Sequence, residues 1–351
     1  MLQHPLLESD LAEISDCILP MADHLKGARI LVVGGTGFVG TWLVESLLHL
    51  DKVAGLGASL VVLTRNSGAY AARAPHMALN PRVEVHQGVL DGVDPLSGIT
   101  GVTHVVHAAS DVNRRMTPEE ALAALRTLDQ GTEGLLQAAE AWPVERFLYI
   151  SSAAVYDRPP SGRPPLDDDR EFPPVLGPAS AYAAGKRIAE LRTSLHASHS
   201  GYAAVIARLG AFIGPLLPLD GVFAAGNFIA DALAGRRIRI LGDGTAVRSY
   251  QYAGDLTVWL WTLLVCGESG EAYNVGGEEP VNMRDLAELI SQVAGGVGVD
   301  VLGKPDPGRS VDAYLPPVKK VMDQFGLINR IGIEESIKRT MQWSSAQRGF
   351  R

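Results

Sequence analysis

Cysteine is almost absent from this chain. Cys17 and Cys266 are the only two. A pair of thiols cannot build a disulfide framework or a zinc site, so both are expected to stay reduced and no metal site is expected. Long apolar runs are missing too. No uninterrupted stretch reaches the roughly 18 residues of a membrane span. The opening MLQHPLLESDLAEISDCILP carries acids and lacks a basic start followed by an apolar stretch, so it does not read as a signal peptide. No membrane partner and a cytoplasmic location are the resulting expectations. Positive charge is also in deficit: 31 Lys and Arg stand against 39 Asp and Glu, a net charge of −8. A general nucleic-acid binder needs a basic face, so that class is excluded. A locally basic pocket for a small anion is not.

What is present is ordinary globular material. Hydrophobic residues make up 46% and charged residues 20%. That supplies a sizeable core and excludes disorder as the main state. The 351 residues suggest two units, or one large α/β unit with an appendage.

Residues 1–27 read as a short helical extension, with Leu11, Ile14 and Ile18 at helical spacing and Pro20 ending it. Buried strands are predicted at 28–33, 59–64, 83–86, 103–107, 146–150 and 203–207. Helical segments at 41–50, 118–142 and 181–198 separate several of them. Strands that alternate with helices, without polar alternation, imply a parallel sheet covered on both faces. The fold class is therefore α/β: a Rossmann-type doubly wound sheet over 28–207, with a smaller, mostly helical lobe over 208–351. Segments 248–252 and 272–275 are expected to return to the sheet. The Pro- and Asp-rich stretch 158–178 reads as a surface loop.

Three features carry chemistry. Gly34, Gly37 and Gly40 lie between a buried strand and a helix. Such a turn lets the backbone approach a diphosphate, and the helix N-terminus offers it free N–H groups. Phe38 and Val39 open that helix. Tyr182 and Lys186 are four apart, on one helix face. An ammonium beside a phenol favours the phenolate, giving a general base or acid for a hydroxyl/carbonyl pair. Ser152 ends the strand beginning at Arg146, on the carboxyl edge where open α/β sheets place ligands.

The order Gly-x-x-Gly-x-x-Gly, His107-Ala108-Ala109, Ser152 and Tyr-x-x-x-Lys resembles the extended short-chain dehydrogenase/reductases, within them the nucleotide-sugar epimerase/dehydratase group. The resemblance spans about residues 28–345. It continues through Arg208–Pro215, Gly242–Asp255 and Tyr273–Gly276. It implies that Tyr182 exchanges a proton with a sugar hydroxyl, most often at C4. Lys186 would hold the nicotinamide ribose and tune Tyr182, while Ser152 orients the sugar oxygen. His107, Ala108 and Ala109 would line the cofactor. Arg248 and Arg309 would meet the diphosphate of an NDP-sugar, where a guanidinium suits phosphate, and Asn227 would donate to the same phosphates. A homodimer through the helices at 118–142 and 181–198 is also implied.

The departures matter. The group's 4,6-dehydratases carry an Asp-Glu pair after the Ser/Thr position, and its decarboxylases keep a glutamate there. This chain has Ala153 and Ala154, which cannot do acid/base work, so both reactions are disfavoured. Val89 and Ala211 replace an Asp and an Asn common in the group. At the end of the second strand Arg65 stands where an acid would favour NAD. Its guanidinium suits the 2′-phosphate, so NADP is the expected cofactor, with NAD as the alternative. The leading expectation is an NAD(P)-dependent NDP-sugar epimerase that oxidises C4 transiently. The alternative is an NADPH-dependent NDP-4-keto-6-deoxyhexose 4-ketoreductase. The intact Tyr182 and Lys186 argue against a non-catalytic nucleotide sensor.

Overall fold

The computed structural model describes residues 5–109, 116–156, 177–304 and 311–348. They form two compact units. The first takes the described residues of Met1–Val155, Pro174–Arg208 and Thr257–Tyr273, and the second takes the rest.

The first unit is built on a seven-stranded sheet. Its strands are β1 (Arg29–Val33), β2 (Ser59–Thr64), β3 (Val83–Gln87), β4 (His104–His107), β5 (Arg146–Ser152), β6 (Ala203–Leu209) and the segment Ala272–Val275. The spatial order is Ala272–Val275, β6, β5, β4, β1, β2, β3. The registers from β3 through β2, β1 and β4 to β5 are parallel. Leu31, Val32, Val61, Val62, Val105 and Val106 are fully buried. Consecutive residues point to opposite faces, so both faces are covered and the runs read as continuously apolar. The chain winds outward from β1 to β3, then crosses back to start again at β4. The carboxyl ends of β1 and β4 therefore flank a reversal of strand order, where open α/β sheets bind ligands.

The helix Phe38–Ala54 follows β1 directly. It is buried on most sides, and Trp261 Nε1 donates to its Ser46 Oγ at 2.9 Å. The N-terminal helix Glu8–Ile18 packs against it through Leu11, Ile14 and Ile18. The helical segment expected over 118–142 runs unbroken to Ala141, with a π turn at Thr127–Gly131 between Pro118–Arg126 and Thr132–Ala141. One inserted residue leaves the apolar pattern almost unchanged, so periodicity does not reveal it.

The second unit carries more strand than expected. Val247–Tyr252 pairs antiparallel with Pro280–Asn282 and parallel with Ala313–Tyr314 and Ala211–Ile213. Ile238–Ile240 pairs with Val299–Val301. Of the two segments expected to rejoin the large sheet, only Ala272–Val275 does so. Tyr273 and Val275 are fully buried, whereas Val247–Tyr252 keeps several half-exposed residues, as a small sheet requires. The helices Ala224–Leu233, Met283–Val293, Lys319–Phe325 and Ile333–Arg348 complete the unit.

Candidate active site

The glycine loop is shaped by two close approaches. Gly34 has φ +89°, and a Cβ there would sit 2.7 Å from Ala108 C and Ala109 N. The loop after β1 thus rests against the end of β4, whose Ala108 N–H donates to Val33 O at 2.8 Å. A Cβ at Gly40 would overlap the Gly34 carbonyl oxygen and lie 2.6 Å from Gly35 Cα. The first turn of the helix is folded back on the loop. Gly37 is exposed at the helix N-cap and makes no side-chain capping bond. Phe38 and Val39 are half-buried beside it. The start of a 17-residue helix with no side-chain cap, reached through a loop whose Gly34, Gly35, Gly37 and Gly40 carry no Cβ, fits an anionic diphosphate. Arg73 Nη2 donates to the Thr36 carbonyl at 2.6 Å and steadies the loop. At the end of β2, Arg65 is exposed and makes no hydrogen bond or ion pair among the described residues.

His107 is fully buried, and its Nε2 pairs with Thr132 Oγ1 at 2.9 Å. Burial, then the charge of Lys186, lowers its pKa to about 3, so it stays neutral at physiological pH. Its imidazole braces β4 against the helix Thr132–Ala141. A cofactor would meet the backbone of 107–109, and Ala108 and Ala109 are half-buried there.

Tyr182 and Lys186 lie on the helix Ala181–Ser200, whose apolar face packs on β5. Tyr182 is half-buried, and Lys186 exposes 1% of its surface. The Lys186 ammonium donates to the Ile150 carbonyl at 2.6 Å. It lies 4.8 Å from the centre of the Tyr149 ring and 5.9 Å from that of Tyr182, within cation–π range of both. Burial drives its pKa from 10.5 down to about 7, against the opposing pull of Glu190. Ser152, half-buried at the end of β5, accepts from Ala154 N–H at 3.1 Å. The first unit thus holds Ser152, Tyr182 and Lys186 on adjacent elements. The two positions that follow Ser152 carry only the methyl groups of Ala153 and Ala154.

Three groups were given no role in the sequence reading. Glu190 follows Lys186 by one helical turn and is buried. Ser151 Oγ donates to Glu190 Oε1 at 2.5 Å. Arg208, on β6, grips the same carboxylate with Nε to Oε1 at 3.0 Å and Nη2 to Oε2 at 2.7 Å. The i+4 spacing of Glu190 from Lys186 was legible; its partners on β5 and β6 were not.

In the second unit Arg248 is half-buried. Its Nη1 donates to Val247 O and Asp312 O, each at 2.7 Å, and its Nη2 pairs with Asp312 Oδ2 at 2.9 Å. Asn227 is exposed in the first turn of Ala224–Leu233, and its Nδ2 donates to Gly221 O at 3.0 Å. Arg309 lies outside the described residues, as does the loop expected at 158–178 up to residue 176. No cluster of three or more metal-ligating side chains occurs among the described residues. None of their helices is long and apolar enough to cross a membrane.

Comparison with known proteins places the chain in a family. The UDP-glucuronic acid decarboxylase 1 of Arabidopsis thaliana is 28% identical over 322 residues, 92% of this chain and 71% of its own. A dTDP-glucose 4,6-dehydratase of Streptomyces niveus is 28% identical over 334 residues, 92% of this chain and 94% of its own. The fold matches the solved dTDP-glucose 4,6-dehydratase DesIV of Streptomyces venezuelae, which has NAD and TYD bound. That match has a TM-score of 0.77 at 24% identity and covers 92% of this chain and 98% of that one. The family model for the NAD dependent epimerase/dehydratase family matches residues 30–276. The chain is therefore an enzyme of the NAD-dependent epimerase/dehydratase family, within the extended short-chain dehydrogenase/reductases.

Proposed function

We propose that this enzyme is an NDP-sugar epimerase that inverts C4 by transient oxidation. The first unit holds the dinucleotide and the second the nucleotide sugar. One observation supports the reading: the buried Lys186 and the half-buried Tyr182 share a helix packed on the strand that ends at Ser152, while Ala153 and Ala154 occupy the adjoining positions. The set moves one proton at one oxygen. It has no second acid/base pair for water loss, so the dehydratase activity named for the Streptomyces relatives is not proposed here. Nor is the decarboxylation named for the plant relative.

The residues divide the work. Tyr182 Oη takes the proton of the sugar 4-hydroxyl and later returns it. Lys186 stabilises the phenolate that does so. Ser152 Oγ hydrogen-bonds the same sugar oxygen and orients it. The Gly34–Gly40 turn, with Phe38, Val39 and the backbone of His107, Ala108 and Ala109, holds the dinucleotide. When bound, its nicotinamide supplies the hydride acceptor and donor. Arg65 meets the 2′-phosphate, so NADP is the proposed form. Arg248, Arg309 and Asn227 bind the substrate diphosphate. Arg248 must then exchange its contact with Asp312 for phosphate oxygens. Exposed Leu122, Ile188, Leu191 and Leu195 on the helices Pro118–Arg126 and Ala181–Ser200 support a homodimer through that apolar surface.

A second reading, NADPH-dependent reduction of an NDP-4-keto-6-deoxyhexose, is favoured by Arg65 alone. Denaturing the purified protein and identifying the released nucleotide by mass spectrometry separates the two. Near-stoichiometric retained dinucleotide, followed by C4 inversion of a UDP-, dTDP-, GDP- or CDP-hexose, supports the epimerase. An empty protein that binds NADPH reversibly and reduces 4-keto sugars supports the reductase. A protein that binds neither dinucleotide defeats both.

A further inference from the structure

The buried charges behind Tyr182 form a chain that the reaction does not by itself require. Lys186 is met by the Tyr149 ring and the Ile150 carbonyl of β5 and by the Tyr182 ring, and the buried Glu190 follows it by one turn of its own helix. His107 on β4 is the nearby imidazole, and it is neutral. Arg187, the next residue on the helix, is turned to the Val155 carbonyl at 2.6 Å. Among the described residues Glu190 is therefore the carboxylate acting on Lys186, and it opposes the effect of burial. Arg208 and Ser151 do not touch Lys186 through any of these contacts. They hold Glu190: the arginine forks both carboxylate oxygens, and the serine hydroxyl donates to one of them. A bidentate, charge-assisted grip of this kind fixes the rotamer of a buried carboxylate.

We propose that Glu190, fixed by Arg208 and Ser151, is a positioning residue that keeps the Lys186 ammonium charged behind Tyr182. It thereby sets the upper pH limit of the Tyr182–Lys186 pair. The proposal rests on the reading above, in which Lys186 stabilises the Tyr182 phenolate. Its charge logic is direct. Neutralising Glu190 leaves burial unopposed, so Lys186 sheds its proton at lower pH. Arg208 on its own would only repel Lys186. Its contribution runs through the carboxylate it secures.

The test is a titration of Lys186 in the full chain labelled with [ε-13C]lysine, its resonance assigned by loss in K186R. E190Q is expected to lower the midpoint by at least about one pH unit, a tenfold loss of proton affinity. E190D, which keeps the charge, restores most of it. E190Q leaves Arg208 without its carboxylate, so a second variant guards against loss of folding. The double variant E190L/R208M removes the pair without leaving a lone charge, and it must lower the midpoint as well. The alkaline limb of turnover moves to lower pH in the same variants. A folded E190Q or E190L/R208M with the wild-type midpoint overturns the proposal. A wild-type enzyme that turns over no nucleotide sugar overturns the substrate reading alone, because the Lys186 midpoint remains measurable without substrate.

Discussion

Replacing Lys186 by Met should make the ligand-free protein more stable at neutral pH while destroying its activity. Lys186 is buried, and its pKa falls from 10.5 to about 7 on folding. That difference corresponds to about 5 kcal/mol as an upper bound. Between pH 7 and 10.5 the unfolded chain binds a proton at this site and the folded chain does not. Stability therefore rises with pH in that window, by about 1.4 kcal/mol per unit. Below pH 7 the full cost of burying the ammonium is present. Met carries no charge, so K186M lacks this slope. The variant's advantage should be largest at pH 6 and contract by roughly 3 kcal/mol by pH 9. Losing the bond to the Ile150 carbonyl costs about 1–3 kcal/mol, but equally at every pH. The slope is thus diagnostic and the offset is not. Urea unfolding of both proteins at pH 6, 7.5 and 9 measures it. A stability difference that stays flat from pH 7 to 9 refutes the reasoning, because it would mean that Lys186 titrates alike in both states.

Three further outcomes follow from the same geometry. Gly40→Ala forces a methyl group onto the Gly34 carbonyl; overpacking of about 1–3 kcal/mol should weaken dinucleotide binding about 10- to 100-fold in a fluorescence titration. Arg65→Ala removes a charged hydrogen bond worth about 1.5–3 kcal/mol, so the ratio of NADPH to NADH affinity should fall about 10- to 100-fold; an unchanged ratio ends the NADP assignment. Leu191→Glu with Leu195→Glu places two charges on the exposed apolar helix face and should yield a monomer by light scattering. A mass equal to that of the parent protein would show that this face joins no subunits.

Local signals were legible in the sequence, and long-range pairings were not. The glycine loop could be read because a buried strand, a glycine-rich turn and a helix follow one another directly. Tyr182 and Lys186 could be paired because helical spacing alone puts them on one face. Arg208 stood out in the sequence, but its partner is Glu190, 18 residues earlier on a different element, and no local period links them. The same limit hid the bond from His107 to Thr132, 25 residues later on another element. It also misassigned Val247–Tyr252. Strand propensity was plain there, but the choice of sheet depends on partners far along the chain.

The central claim is proton and hydride exchange at sugar C4 governed by Tyr182. The most direct measurement is turnover of nucleotide hexoses deuterated at C4, followed by NMR, with wild type and Y182F side by side. The account predicts product with inverted C4 that keeps its deuterium, and no product from a Y182F protein that still binds dinucleotide. Inversion by Y182F at the wild-type rate, or loss of the C4 label to solvent during inversion, would contradict it.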